Sequence, residues 1–383
     1  MVRPTARVRD CDRSRIRHMF QMADEAEEEG RDVVRLEVGE PDFDTPEHVT
    51  EAAFEAARDG ATHYTSNAGL PELREAISDT LADEYGVDHA ADEVLVTTGG
   101  MEALHLAVLA SVERGEELLI PSPGWSNYWT HARLADATPV EVPMEAPAFQ
   151  LDADRVIEAM GPDTGAVMLC TPSNPTGQVF DEREVRAVVE AAADHDVYVV
   201  ADEVYGRLTY DRDPRGVASY TGGPDHVLTV GSCSKSYAMT GWRVGWLAAD
   251  EAMIAETTKV REATTACAPS VAQHAAIEAL TGPQEPFDEM VDEFEERRDY
   301  VADRIDDADG VTAPTPEGAF YAFVTPETDE ASLPLAERLC TEEGVVLAPG
   351  DGFGEAGEGR LRLSFANSMD RLEEGLDRLE SGL

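Results

Sequence analysis

Two lysines occur in the 383 residues, Lys235 and Lys259. Lys235 lies in the run Gly231-Ser-Cys-Ser-Lys235-Ser-Tyr-Ala-Met-Thr-Gly-Trp-Arg243. A chain that uses arginine for almost every other cation keeps an amine here. An amine can lose its proton and attack a carbonyl to give an imine, whereas a guanidinium stays protonated. The first expectation is therefore a Schiff-base lysine. The flanking serine and glycine suit an ordinary surface loop as well.

An imine-forming cofactor such as pyridoxal phosphate needs more than an amine: a phosphate cradle, a partner for the ring nitrogen, a donor at the phenolate and a stacking surface. Gly99-Gly100-Met101 lets backbone amides approach an anion at the positive end of the following helix; a tight turn explains the glycines equally. Ser232 and Arg243 could add a hydroxyl and a bidentate guanidinium to the same phosphate. Asp202 closes the apolar run Val197–Ala201. A buried carboxylate needs a cationic partner, either a protonated pyridine nitrogen or a nearby arginine. Tyr205 and Asn174 could donate to the phenolate. The run Asn174-Pro-Thr-Gly177 reads as a turn, with room for a cis proline. Trp125 could stack on the ring or belong to the core.

These residues fall at the ends of short apolar runs. Val94–Thr97, Leu118–Ile120, Ala166–Cys170, Val197–Ala201, Val227–Val230 and Val244–Ala248 read as strands buried on both faces of a largely parallel sheet. Glu102–Ala110 and Glu184–Ala193 are helical in pattern. Ligands of open α/β sheets bind at strand ends. From about residue 285 the texture changes: a charged helix Asp288–Ile305, a strand Ala319–Val324, a helix near Leu335–Glu343 and a strand Leu361–Phe365. That pattern predicts a smaller α+β domain joined by the N-terminal arm. The expected division is 48–283 for the large domain, with 1–47 and 284–383 forming the small one.

Taken in order and spacing, several strings resemble the class I/II aminotransferases of pyridoxal phosphate fold type I, over nearly the whole chain. They include Ile16-Arg-His-Met-Phe20, Val38-Gly-Glu-Pro-Asp-Phe-Asp-Thr-Pro46, His63-Tyr-Thr65, Leu70–Ala76, Thr98-Gly-Gly100, Ser173–Gly177, Asp202-Glu-Val-Tyr205, Ser232–Gly245, Gly318-Ala-Phe-Tyr321 and Arg362–Ala366. The resemblance is strongest to prokaryotic aspartate and aromatic aminotransferases. It implies an α/β fold with a mostly parallel sheet sandwiched by helices. It also implies that Lys235 forms the imine with pyridoxal 5'-phosphate and shuttles the proton, and that Asp202 pairs with the ring nitrogen. Asn174 and Tyr205 would bond the phenolate oxygen, and Trp125 would stack on the ring. Gly100, Met101, Ser232 and Arg243 would hold the phosphate, joined by Tyr64 of a second subunit. Arg362 would clamp the substrate α-carboxylate beside the Gly39 backbone. Active sites shared in this way imply a homodimer.

The implied reaction moves an amino group from an L-amino acid to a 2-oxo acid such as 2-oxoglutarate. A β-lyase or decarboxylase on the same fold would use the same lysine and aspartate. The slot after Gly99-Gly100, a lysine in some aspartate-using relatives, holds Met101, which leaves aspartate, aromatic and broad specificity open. Acidic residues outnumber basic ones 78 to 30, for a formal charge of −48. Salt screens such self-repulsion, so the charge predicts adaptation to a salt-rich cytoplasm. It also argues against nucleic acid or anionic membrane as partners. Five scattered cysteines with no C-x-x-C pair argue against a disulfide framework or a zinc site. No apolar run of spanning length occurs, so a cytoplasmic protein is expected.

Overall fold

A computed structural model describes residues 3–11, 13–220 and 225–383. A seven-stranded sheet forms its centre, in the order Val94–Thr97, Gly245–Ala248, Val227–Ser232, Tyr198–Asp202, Thr164–Cys170, Glu117–Ser122, Thr138–Pro143. Side chains alternate between two cores. Val167 and Leu169 enter one, with Val199 and Ala201; Ala166, Met168 and Cys170 enter the other, with Val200. This is why Thr164–Cys170 is buried at every position and why its sequence is apolar without alternation.

The sheet is less uniform than its apolar runs suggest. Gly245–Ala248 is antiparallel to both neighbours. The strand Thr138–Pro143 carries two prolines and has no separate strand signature, yet it pairs in parallel with Glu117–Ser122. Its place at the sheet edge accommodates them, because one side of its ladder needs no donors.

A second, antiparallel sheet has the order Ala348–Pro349, Leu361–Ser364, Tyr321–Pro326, Val311–Thr312. The expected strand Ala319–Val324 begins only at Tyr321, since Ala319 takes the left-handed backbone with φ 55°. The helix expected near Leu335–Glu343 is Ser332–Arg338, continued by a wider π turn over Leu339–Glu343. The charged helix runs from Glu285 to Asp307. Val34–Arg35 pairs in parallel with Val345–Val346, tying the N-terminal segment to the C-terminal one. A third core fills this half and also takes in Tyr205, Leu208 and Tyr210 from the large-sheet region.

Candidate active site

Parallel strands present their carboxyl ends along one edge of the sheet, and the sequence places its chemistry there. Tyr198–Asp202 ends on Asp202, and Val227–Ser232 ends on Ser232. Thr164–Cys170 leads into the turn bearing Asn174, where the Asn174–Pro175 bond is cis. Val94–Thr97 leads into Gly99-Gly100, and Glu117–Ser122 into Trp125. Arg362 arrives from the second sheet.

Lys235 sits in a single helical turn, Cys233–Ser236, whose first residues are tied by Ser232 Oγ accepting from Ser234 N at 3.1 Å. Its Nζ donates to Gly39 O at 2.6 Å. Burial lowers its pKa to about 8, with Arg362 and Arg243 adding to the shift and Glu40 and Asp202 opposing it. That amine is far easier to deprotonate than a solution lysine.

Asp202 is buried, yet no arginine meets it among the described residues. Its Oδ2 accepts from Tyr128 Oη at 2.7 Å and its Oδ1 from Val204 N at 3.4 Å. Burial pushes its carboxyl up to about 6; those two hydrogen bonds and the charge of Lys235 hold it down. The arginine alternative for Asp202 thus fails, and the carboxylate stands ready for a cation.

Arg362 is 2% exposed. Its Nη1 donates to Asn174 Oδ1 at 2.9 Å and its Nη2 to Glu37 O at 2.7 Å. The guanidinium lies 4.3 Å over the Tyr321 ring and 5.1 Å from that of Phe353. Asn174 Nδ2 reaches Tyr205 Oη at 3.5 Å, and Tyr205 Oη meets Tyr321 Oη at 2.9 Å. Asn174 therefore joins Arg362 to Tyr205. Gly39 is glycine for a steric reason: a Cβ there would stand 2.8 Å from Tyr321 Oη.

At the helix Gly100–Ser111, Gly99 takes φ +76°, and a Cβ on it would strike the Arg243 guanidinium at 2.5 Å. A Cβ on Gly100 would lie 3.4 Å from Ser232 Cβ. The helix start therefore lies close to both Ser232 and Arg243, a grouping with the donors an anion needs. Arg243 is itself left-handed (φ 58°) and donates from Nη1 to Thr240 O at 2.8 Å. Trp125 is half-buried and meets Tyr128 edge to face, 5.8 Å between centroids. Met101 is 39% exposed and Tyr64 89% exposed, so the Tyr64 ring is not packed into its own chain.

Tyr128 and Tyr321, the partner of Tyr205, were not assigned from sequence. Tyr128 follows Trp125 by three residues at the start of the helix Asn127–Leu134, a spacing that hinted at a shared face. Tyr321 stood in a recognised string without a role; only tertiary packing brings it to Tyr205.

A lysine of lowered pKa, a buried carboxylate that no arginine meets among the described residues, a glycine-bearing helix start beside Ser232 and Arg243, and a buried arginine fit the donor set that pyridoxal phosphate and an amino acid require. They define a pyridoxal phosphate-dependent enzyme. Residues 31–379 match the family model for aminotransferase class I and II. The chain is 37% identical to the aspartate aminotransferase of Pyrococcus horikoshii, over 97% of this chain and 95% of that one. It is 36% identical to aromatic-amino-acid aminotransferase 2 of Thermococcus litoralis, with the same shares covered. The solved aspartate aminotransferase of Thermus thermophilus with maleate superposes with a TM-score of 0.94, at 36% identity and complete coverage of both chains. The chain belongs to the class I and II aminotransferases and is a transaminase of pyridoxal phosphate fold type I.

Proposed function

We propose that Lys235 is the amine that carries the cofactor and moves the proton, acting on an L-amino acid of the aspartate or aromatic class with 2-oxoglutarate as acceptor. The observation that carries this reading is the pairing of a depressed lysine with a buried Asp202 that forms no ion pair among the described residues. When bound, pyridoxal phosphate supplies an aldehyde that exchanges amines and a protonated ring that takes up the electron pair released at the substrate α-carbon. Asp202 holds the ring nitrogen protonated. Tyr128 fixes the orientation of that carboxylate, while Asn174 and Tyr205 donate to the phenolate oxygen. Trp125 covers one face of the ring. The amides at Gly100 and Met101, with Ser232 and Arg243, hold the phosphate.

Arg362 offers its planar fork to the α-carboxylate, with Asn174 and the Gly39 backbone fixing its place. Lys235 would withdraw the substrate α-proton as general base and give a proton back as general acid. Borohydride reduction followed by peptide mapping tests the assignment; a tag on any peptide lacking position 235 overturns it.

The exposed Tyr64 supports a homodimer in which that phenol completes the partner's phosphate site. The parallel pairing of Val34–Arg35 with Val345–Val346 supports a small domain made of 1–47 and 284–383 against a large one of 48–283. The charge of −48 supports a salt-rich cytoplasm as the setting; among the described residues no helix is long and apolar enough to cross a membrane. A screen of amino acids against 2-oxoglutarate at high salt decides between aspartate and aromatic preference.

A further inference from the structure

Behind the wall formed by Ser232 and the Lys235 turn lies a buried chamber of about 10 Å³, lined by Glu203, Thr229, Ser236, Tyr237 and Trp246 among others. That is room for the centre of one water molecule. Three of the lining residues each carry a buried polar atom without a well-formed hydrogen bond: Thr229 Oγ1, Tyr237 Oη and Trp246 Nε1; the Arg207 guanidinium also approaches the Tyr237 side chain, 5.5 Å from its ring centre. Their side chains are 1%, 1% and 4% exposed. Buried polar groups left unpaired are costly, and native proteins leave few of them without a protein or water partner.

The local chain explains how they converge. Gly231 faces Trp246 across the antiparallel ladder, and a Cβ at Gly231 would collide with the indole. The missing side chain lets the indole lie across the strand. Thr229, two residues earlier, projects from the same face. Tyr237 comes from the other side, two residues after Lys235. Glu203 adds a carboxyl, with its Oε1 taken by Val217 N at 2.6 Å.

We propose that the chamber binds one ordered water, held by Thr229, Tyr237 and Trp246, and that these three are positioning residues for the turn that carries Lys235. The water accepts from the Trp246 N–H and bonds both hydroxyls. It thereby links the Lys235 turn to the strands carrying Thr229 and Trp246, which the Arg207 contact of the Tyr237 side chain does not. The positioning role rests on Lys235 being the cofactor lysine; the water site does not.

A crystal structure of the holoenzyme, at a resolution where other buried waters are visible, is expected to show one water within hydrogen-bond distance of all three atoms. An empty chamber overturns the site. Thr229→Val, nearly isosteric, is expected to lose the water and to move the midpoint of the pH-dependent absorbance change of the bound cofactor by about half a unit, the scale of one modest hydrogen bond. Thr229→Ser, which keeps the hydroxyl, is expected to retain both water and midpoint. A midpoint unmoved in Thr229→Val, or moved equally in Thr229→Ser, overturns the positioning role. Failure of the Lys235 reading would show separately, as a borohydride tag elsewhere in the chain.

Discussion

Replacing Tyr128 by phenylalanine removes one oxygen and little volume, and it removes the shorter of the two hydrogen bonds on Asp202. A hydrogen bond to a charged group contributes about 1.5–3 kcal/mol, equivalent to about one to two pKa units. The Asp202 carboxyl, already raised to about 6 by burial, should then titrate about one to two units higher. The sign is fixed: Tyr128 stabilises the ionised form, so its loss favours the proton. A cofactor whose ring nitrogen is protonated binds best to ionised Asp202. Its affinity for the cofactor-free protein should fall as pH drops through the Asp202 pKa. Titrating pyridoxal phosphate into the stripped protein between pH 5 and 9 at constant salt reads that inflection directly. Over the background set by the phosphate and by Lys235, which all three proteins share, wild type should show an added bend near pH 6 that lies about one to two units higher in Tyr128→Phe and is missing in Asp202→Asn; the first two should converge at alkaline pH. Profiles of wild type and Tyr128→Phe that coincide, or an Asp202→Asn profile identical to wild type, refute the reasoning.

Arg362→Lys loses the fork that meets Asn174 Oδ1 and Glu37 O; KM for amino acid and 2-oxo acid should both rise by about 10- to 100-fold, and an unchanged KM removes Arg362 from the substrate site. Gly99→Ala combines a left-handed backbone with a clash on Arg243, so the Kd for pyridoxal phosphate should weaken about tenfold, measured by equilibrium dialysis. Glu203 is raised to about 8 by burial, with Asp202 adding to the shift and the Val217 amide opposing it. The folded state therefore keeps a proton that the unfolded chain releases, and stability should fall as pH rises from about 5 to 8. Glu203→Gln should remove a slope of about 3 kcal/mol over that window in denaturant titrations; equal slopes in the two proteins would count against it.

The large sheet was legible because its strands are buried on both faces, which leaves continuous apolar runs bounded by turns. The edge strand Thr138–Pro143 was not: its residues are mostly half-exposed and two are prolines. The orientation of Gly245–Ala248 was hidden too, since burial writes the same apolar run for either direction. In the site, Lys235 and Asp202 announce themselves by type, whereas the role of Arg362 came only from the resemblance of its string. An amine in an arginine-rich chain and a carboxylate closing an apolar strand each break a local rule. Tyr128 breaks none, because a tyrosine on an amphipathic helix is ordinary. Its role appears only when the helix Asn127–Leu134 packs so that the phenol reaches Asp202. The same holds for Tyr321 and for the chamber beside Ser236, whose members come from separate segments with no common pattern.

The charges around Lys235 carry a further consequence for the order of events. Arg362 and Arg243 both favour the neutral amine, while Glu40 and Asp202 favour the ammonium. On the proposed assignment each of the two arginines meets an anion, a carboxylate at Arg362 and a phosphate at Arg243. Filling either site offsets the cationic field that the amine feels. Filling the carboxylate site at Arg362 therefore makes the Lys235 amine a stronger base when an amino acid arrives. Pairing Asp202 with a ring cation works in the same direction of reasoning but opposite sign, since it cancels a charge that had favoured the ammonium. The basicity of Lys235 is thus set jointly by three groups that are themselves ligands' partners. For this reason a change at Arg362 should reach past KM and move the alkaline-side titration of the amine as well, a coupling that a purely steric clamp would lack.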